Sequence, residues 1–179
     1  SSSDDITKYW YYSYWIADKL NIYNPVGFYA SACYKQGVGM RFLNVNIPKG
    51  AVVTNAYLNM CAANNRNVDT VKSKICAEDS DNPSAFNGTV ADYDGRARTG
   101  NFTYWDSISA WTTNTWYQSV TISSIVQEVI DRDGWNHGNA MVIFWDDHDS
   151  RSNTTNSCER NAYSIDGSYA KRPQLCVSF

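Results

Sequence analysis

The chain is built of short apolar or alternating stretches divided by polar, turn-rich segments, and only one stretch has a helical period. That rhythm confines it to all-β architectures. β-Branched and aromatic residues predict strands over 39–43, 51–61, 70–78, 102–105, 116–121, 140–145, 160–165 and 174–179. The helical stretch has Ser124-Ile125-Val126-Gln127 at capping-box spacing and an apolar stripe of Ile122, Ile125, Val126, Val129 and Ile130, ended by Asp131-Arg132-Asp133-Gly134. Eight or more short strands with one short helix predict a jelly-roll-like β-sandwich. The polar stretches 78–98 and 146–157 are expected as surface loops, the natural places for sites. The expected organisation is an N-terminal aromatic arm with the first strand or strands over 1–38, and the sandwich over 39–179.

The arm holds the densest aromatic run, Tyr9-Trp10-Tyr11-Tyr12-Ser13-Tyr14-Trp15. Read as one strand, it places Tyr9, Tyr11 and Trp15 on one face and Trp10, Tyr12 and Tyr14 on the other. A strand aromatic on both faces is awkward for a lone domain, where one face meets water. Three uses follow: packing across its own sandwich, docking onto a neighbouring copy by strand addition, or stacking against sugar rings.

Composition narrows the function classes. The net charge is −3, with 15 basic and 18 acidic residues among 179, so no general field favours a phosphate backbone. No apolar run reaches the ~18 residues of a membrane-spanning helix. Nucleic-acid binding and a membrane span are excluded on these grounds. The opening Ser1-Ser2-Ser3-Asp4-Asp5 reads as a mature end left by signal-peptide removal, or as a trimmed start. Three acceptor sequons begin at Asn87, Asn101 and Asn153, and an extracellular, oxidising compartment is expected. Five cysteines, Cys33, Cys61, Cys76, Cys158 and Cys176, are the disulfide candidates; the odd count leaves one thiol over. Alternation turns Cys61, Cys76 and Cys176 away from the apolar face of their strands, where they could bridge strands on the outer face.

Catalytic signals are sparse. His137 sits in the turn Trp135-Asn136-His137-Gly138, and His148 lies in Asp146-Asp147-His148-Asp149, expected as a solvated acidic loop. Glu78-Asp79-Ser80-Asp81 and Asp92-Tyr93-Asp94-Gly95 could take a structural calcium ion, though neither has EF-hand spacing. No cofactor motif or nucleophile motif is present, and the chain is expected not to be an enzyme.

Seven pieces in order resemble secreted DNRLRE-like β-sandwich modules, some classed as carbohydrate-binding modules. They are Gly39-Met40-Arg41-Phe42; Ile47-Pro48-Lys49-Gly50-Ala51; Ala56-Tyr57-Leu58; Arg98-Thr99 with Trp105 and Trp111; Ile125 through Val129 leading to Trp135 and Gly138-Asn139-Ala140; Arg160-Asn161-Ala162-Tyr163; and Pro173-Gln174-Leu175-Cys176-Val177. The resemblance implies a non-catalytic jelly-roll-like sandwich of extracellular or surface proteins. Pro48 and Gly50 would set a turn, Ala56, Leu58, Val177 and Phe179 line a core, and Trp105, Trp111 and Trp135 cap its ends. The expected function is a non-catalytic extracellular glycoprotein that self-associates into a fibre or surface layer, with Tyr9, Trp10, Tyr11, Tyr12, Tyr14 and Trp15 as contacts. The alternative is a polysaccharide-binding or adhesion module; a polysaccharide hydrolase or lyase ranks last.

Overall fold

The computed structural model describes residues 4–29, 33–66, 69–154 and 157–179, with Cys33 described by its backbone alone. Among these residues eleven strands form two antiparallel sheets. They are β1 (Asp5–Tyr11), β2 (Tyr14–Asp18), β3 (Tyr23–Tyr29), β4 (Cys33–Phe42), β5 (Asn55–Cys61), β6 (Val71–Glu78), β7 (Arg98–Ile108), β8 (Trp116–Gln118), β9 (Met141–Asp146), β10 (Cys158–Tyr163) and β11 (Gln174–Ser178). The large sheet runs β10-β3-β4-β9-β6-β7, with β1 joined to β4 and β2 to β1; the small sheet runs β11-β5-β8. The all-β sandwich is as expected. The boundary expected at 38/39 falls inside β4, which pairs β1 on Met40, Gly39, Val38 and Gly37.

The main core lies between the sheets. Ala56, Leu58 and Met60 of β5 face Val71, Ile75 and Ala77 of β6, and α2 (Ser123–Ile130) contributes Ile125, Val126, Val129 and Ile130. Trp105, Trp111 and Trp145 pack with centroids 5.8–6.4 Å apart, and the Trp135 indole donates to Ile47 O at 3.0 Å. These rings sit inside the core, where full burial contributes about 4–6 kcal/mol each before entropy is counted. Phe179, expected in the core, is 57% exposed because β11 ends at Ser178. The capping box at Ser124 does not form: Gln127 instead bonds Ala51 O, Val53 N and the Asp131 carboxylate.

The large sheet is covered on its other face too. Along β9, Met141, Ile143 and Trp145 enter the main core, while Val142 and Phe144 join Ile6, Cys76, Phe86 and Tyr93 in a second cluster. Its roof is a second helix, α1 (Val90–Gly95), inside a stretch expected as loop. Thr89 caps it, its Oγ1 accepting from Asp92 N at 3.1 Å. Gly37 and Gly39 allow the close approach: a Cβ there would stand 2.2 Å from Asp146 Cβ and 2.7 Å from Phe86 Cζ.

Candidate functional site

The aromatic arm is a hairpin, not a single strand. Tyr11 pairs Tyr14 across a Tyr12-Ser13 turn in which Tyr12 has φ 49°, so Trp10 faces Trp15 and Tyr9 pairs Ile16. The turn reverses the alternation expected beyond it. Trp10 and Trp15 share a face, with rings 5.3 Å apart, and Tyr9, Tyr11 and Tyr14 share the other. Trp15 meets His148 edge-on at 5.3 Å, and Lys8 Nζ lies 4.0 Å from the Trp15 centroid and pairs with Asp94 of α1. The arm therefore packs on its own sandwich. Tyr12 and Tyr14 remain 63% and 54% exposed.

His148 is not in a solvated loop. Burial lowers its pKa below the usual imidazole value, Nε2 lies 3.3 Å from Lys8 O, and Tyr93 packs edge-on at 5.5 Å. Asp147 caps the turn, accepting from Arg151 N and Ser152 N at 2.7 and 3.0 Å, and burial raises its pKa. His137 is exposed in its turn. The acidic stretches proposed for calcium are matched by cations: Glu78 and Asp92 by Arg96, Asp79 and Asp81 by Arg132, Asp94 by Lys8. Among the described residues no cluster of three metal-ligating side chains of the His, Cys, Asp and Glu types forms.

The expected outer-face disulfides are corrected. Cys61, Cys76, Cys158 and Cys176 are free, because the ladders place each opposite a different kind of residue: Trp116, Phe102 or Phe144, Phe28 and Tyr57 respectively. Cys158 is buried in the main core, Cys61 is buried on the face of β5 opposite to Ala56, Leu58 and Met60, and Cys76 belongs to the second cluster, where burial pushes its thiol up to about 11. The side chain of Cys33 lies outside the described residues. Asn87, Asn101 and Asn153 are all exposed; Thr155 of the third sequon lies outside the described residues.

Two cavities stand out among the described residues. The larger, about 780 Å³, opens between the sheets beside β11, lined by Phe42, Ile47, Leu175 and Val177. Of its charged groups, Arg41 pairs with Asp4 at 2.9 Å, Asp5 accepts from Ile165 N at 2.9 Å, and Arg172 donates to Tyr169 O. Burial raises Asp5 to about 6.

The smaller, about 190 Å³, lies on the outer face of the β3–β10 pair. Alternation sends Cys158 and Ala162 into the core and Glu159 and Asn161 outward. Opposite them in register stand Gly27 and Pro25, whose small size leaves a trough, with Tyr23 and Tyr29 towards its ends. The chain after β5 forms one side, held to β10 by an Ala62–Ala162 bridge and by Ala63 N to Asn161 O at 2.8 Å. This brings in Asn64 and Arg66. Glu159, 4% exposed, accepts from Gln36 Nε2 at 2.9 Å and Asn161 Nδ2 at 3.2 Å. Arg66 Nε lies 2.9 Å from Glu159 Oε1, an ion pair by distance whose N–H is not aimed at the carboxylate.

Two buried oxygens in this cleft, Asn161 Oδ1 and Asn64 Oδ1, have no partner among the described residues. Leaving a buried acceptor unmatched costs about 1–3 kcal/mol, so each calls for a donor from outside the chain: water, or a ligand hydroxyl in its place. Sequence reasoning missed this site, whose residues come from four separate segments; the signal available was Pro25 and Gly27 within one strand.

No protein-family model matches the chain, and no curated protein matches it in sequence. The resemblance to DNRLRE-like modules thus rests on the seven ordered pieces alone.

Proposed function

We propose that the protein is a non-catalytic carbohydrate-binding or adhesion module of the extracellular space, and that the ligand sits in the Tyr23–Tyr29 cleft. The pair of buried, unmatched amide oxygens carries this reading, because a sugar brings several hydroxyl donors on one small ring. The flanking tyrosines combine apolar faces with polar edges, as sugar sites require. The exposed Asn87, Asn101 and Asn153 support a glycosylated, secreted chain. His148 and the acidic stretches serve the packing of the arm and of α1, which supports a role without turnover. Affinity electrophoresis in gels containing plant, algal and bacterial polysaccharides tests it. Retardation by at least one polymer, without release of reducing ends, is expected; migration unchanged in all of them contradicts binding, and released reducing ends contradict the non-catalytic role.

Self-association into a fibre or surface layer is the second reading, favoured by the outer edge of β2. Its described partner is β1 alone, and Tyr12 and Tyr14 beside it are exposed. Removing the whole arm is a poor test, because Ile6 and Lys8 are buried beneath α1. Tyr12→Lys with Tyr14→Lys keeps the fold, and sedimentation velocity should then show smaller species than the parent chain; identical profiles contradict assembly through this edge.

A further inference from the structure

Resting on that glycan-binding reading, we infer that the cleft takes one terminal, neutral pyranose through its hydroxyl groups, and takes it without a metal ion. Three observations on the same residues lead there. The unmatched groups are two acceptors, Asn64 Oδ1 and Asn161 Oδ1, and one donor, Arg66 Nε, so the ligand must present at least two donors and one acceptor, which hydroxyl groups supply together. The charges of the cleft are already compensated, since Glu159 faces Arg66, Gln36 and the Asn161 amide. A sugar carboxylate would bring a second negative charge against Glu159 and two more acceptors, and a sugar ammonium would meet the Arg66 guanidinium. A calcium ion seeking the three oxygens would have to displace Arg66 from Glu159. The volume of about 190 Å³ suits a single ring, not a length of polymer lying along a groove.

The whole chain is titrated by calorimetry with the methyl glycosides of glucose, galactose and mannose, of glucuronic acid and of glucosamine, each with and without EDTA. At least one neutral glycoside should bind at least tenfold tighter than both charged ones, with affinity unchanged by EDTA. Asn161→Ala should weaken that binding tenfold or more while the denaturant midpoint stays within the range of Asn64→Ala. A glucuronide or glucosaminide that binds as well as the neutral sugars overturns the inference and leaves glycan binding standing. So does loss of affinity in EDTA, binding undiminished in Asn161→Ala, or binding of polysaccharide with none of the monosaccharide glycosides. Silence from every glycoside together with unretarded migration in every polysaccharide gel overturns both.

Discussion

Over β6 and β9 the outer face of the large sheet carries a buried Arg96 surrounded by five oxygens: two of Asp92, one of Glu78, and the carbonyls of Ser84 and Ala85. Over β3 and β10 the same face carries Asn64 and Asn161, each with an amide oxygen left over. Both regions bury polar groups at similar depth, yet in the covered half the unmatched Tyr93 hydroxyl is sealed inside the second cluster, whereas in the other half the unmatched amide oxygens line an open cleft. The covered half has a roof, α1, whose Asp92 and Asp94 pair with Arg96 and Lys8. The open half has a trough made by Pro25 and Gly27 and, among the described residues, no element above it. Polar burial in the first serves folding. In the second it leaves bonding capacity for something else.

The largest effect that would sharpen this contrast is in the covered half. Arg96→Met should cost about 3–5 kcal/mol in denaturant unfolding, because it strands Glu78 and Asp92 under the roof. A loss below about 1 kcal/mol would mean that the covered half is not held by its charges.

Next comes Asp5, which ties β1 to the segment after β10 through Ile165 N and lies beside Asn24 of β3. Its carboxyl is raised from 3.8 to about 6, chiefly by burial. The folded state therefore holds this proton more tightly than the unfolded chain. The contribution of Asp5 to stability is fully present below pH 3.8 and is lost as pH rises to about 6. Asp5→Asn should stabilise the protein by up to about 3 kcal/mol at pH 7.5 relative to its effect at pH 3.5. The difference between the two stability–pH curves isolates this group, and a flat difference would contradict it.

Gly39→Ala should cost about 1–3 kcal/mol, since the added methyl meets Phe86 and Phe144 where the roof approaches the sheet. Thermal unfolding reads this, and a neutral result would show that the second cluster can yield. Smallest of all is Asn161→Ala, which trades one bond to Glu159 for the removal of an unmatched oxygen and should change stability by no more than about 1 kcal/mol. A loss as large as that of Arg96→Met would place both halves in the same structural role.

Much of the architecture was legible in local pattern. Alternation located β5, β6, β9 and β11 to within a few residues, and the 3.6-residue stripe located α2, because each pattern reports directly which face meets the core. The hairpin turn was hidden, because Tyr12-Ser13 carries no glycine, asparagine or proline to mark it, and Tyr12 itself takes the left-handed conformation. Helix α1 had a signal that went unread: Thr89 three residues before Asp92. The burial of His148 depends on Trp15 and Lys8, more than a hundred residues away, and no local rhythm encodes that. The cleft is the extreme case. Glu159 and Asn161 look like ordinary outward residues of a strand until Gly27 and Pro25 are seen across from them.

The most direct measurement is an isotope-edited NMR titration of the whole chain with methyl glycosides of glucose, galactose and mannose, observing the side-chain amides of Asn64, Asn161 and Gln36. Shifts concentrated on those amides and on the backbone of Gly27 are the predicted result. Shifts absent there, or confined to Tyr12 and Tyr14 at the hairpin tip, would contradict the claim that the unroofed half of the sheet is the binding site.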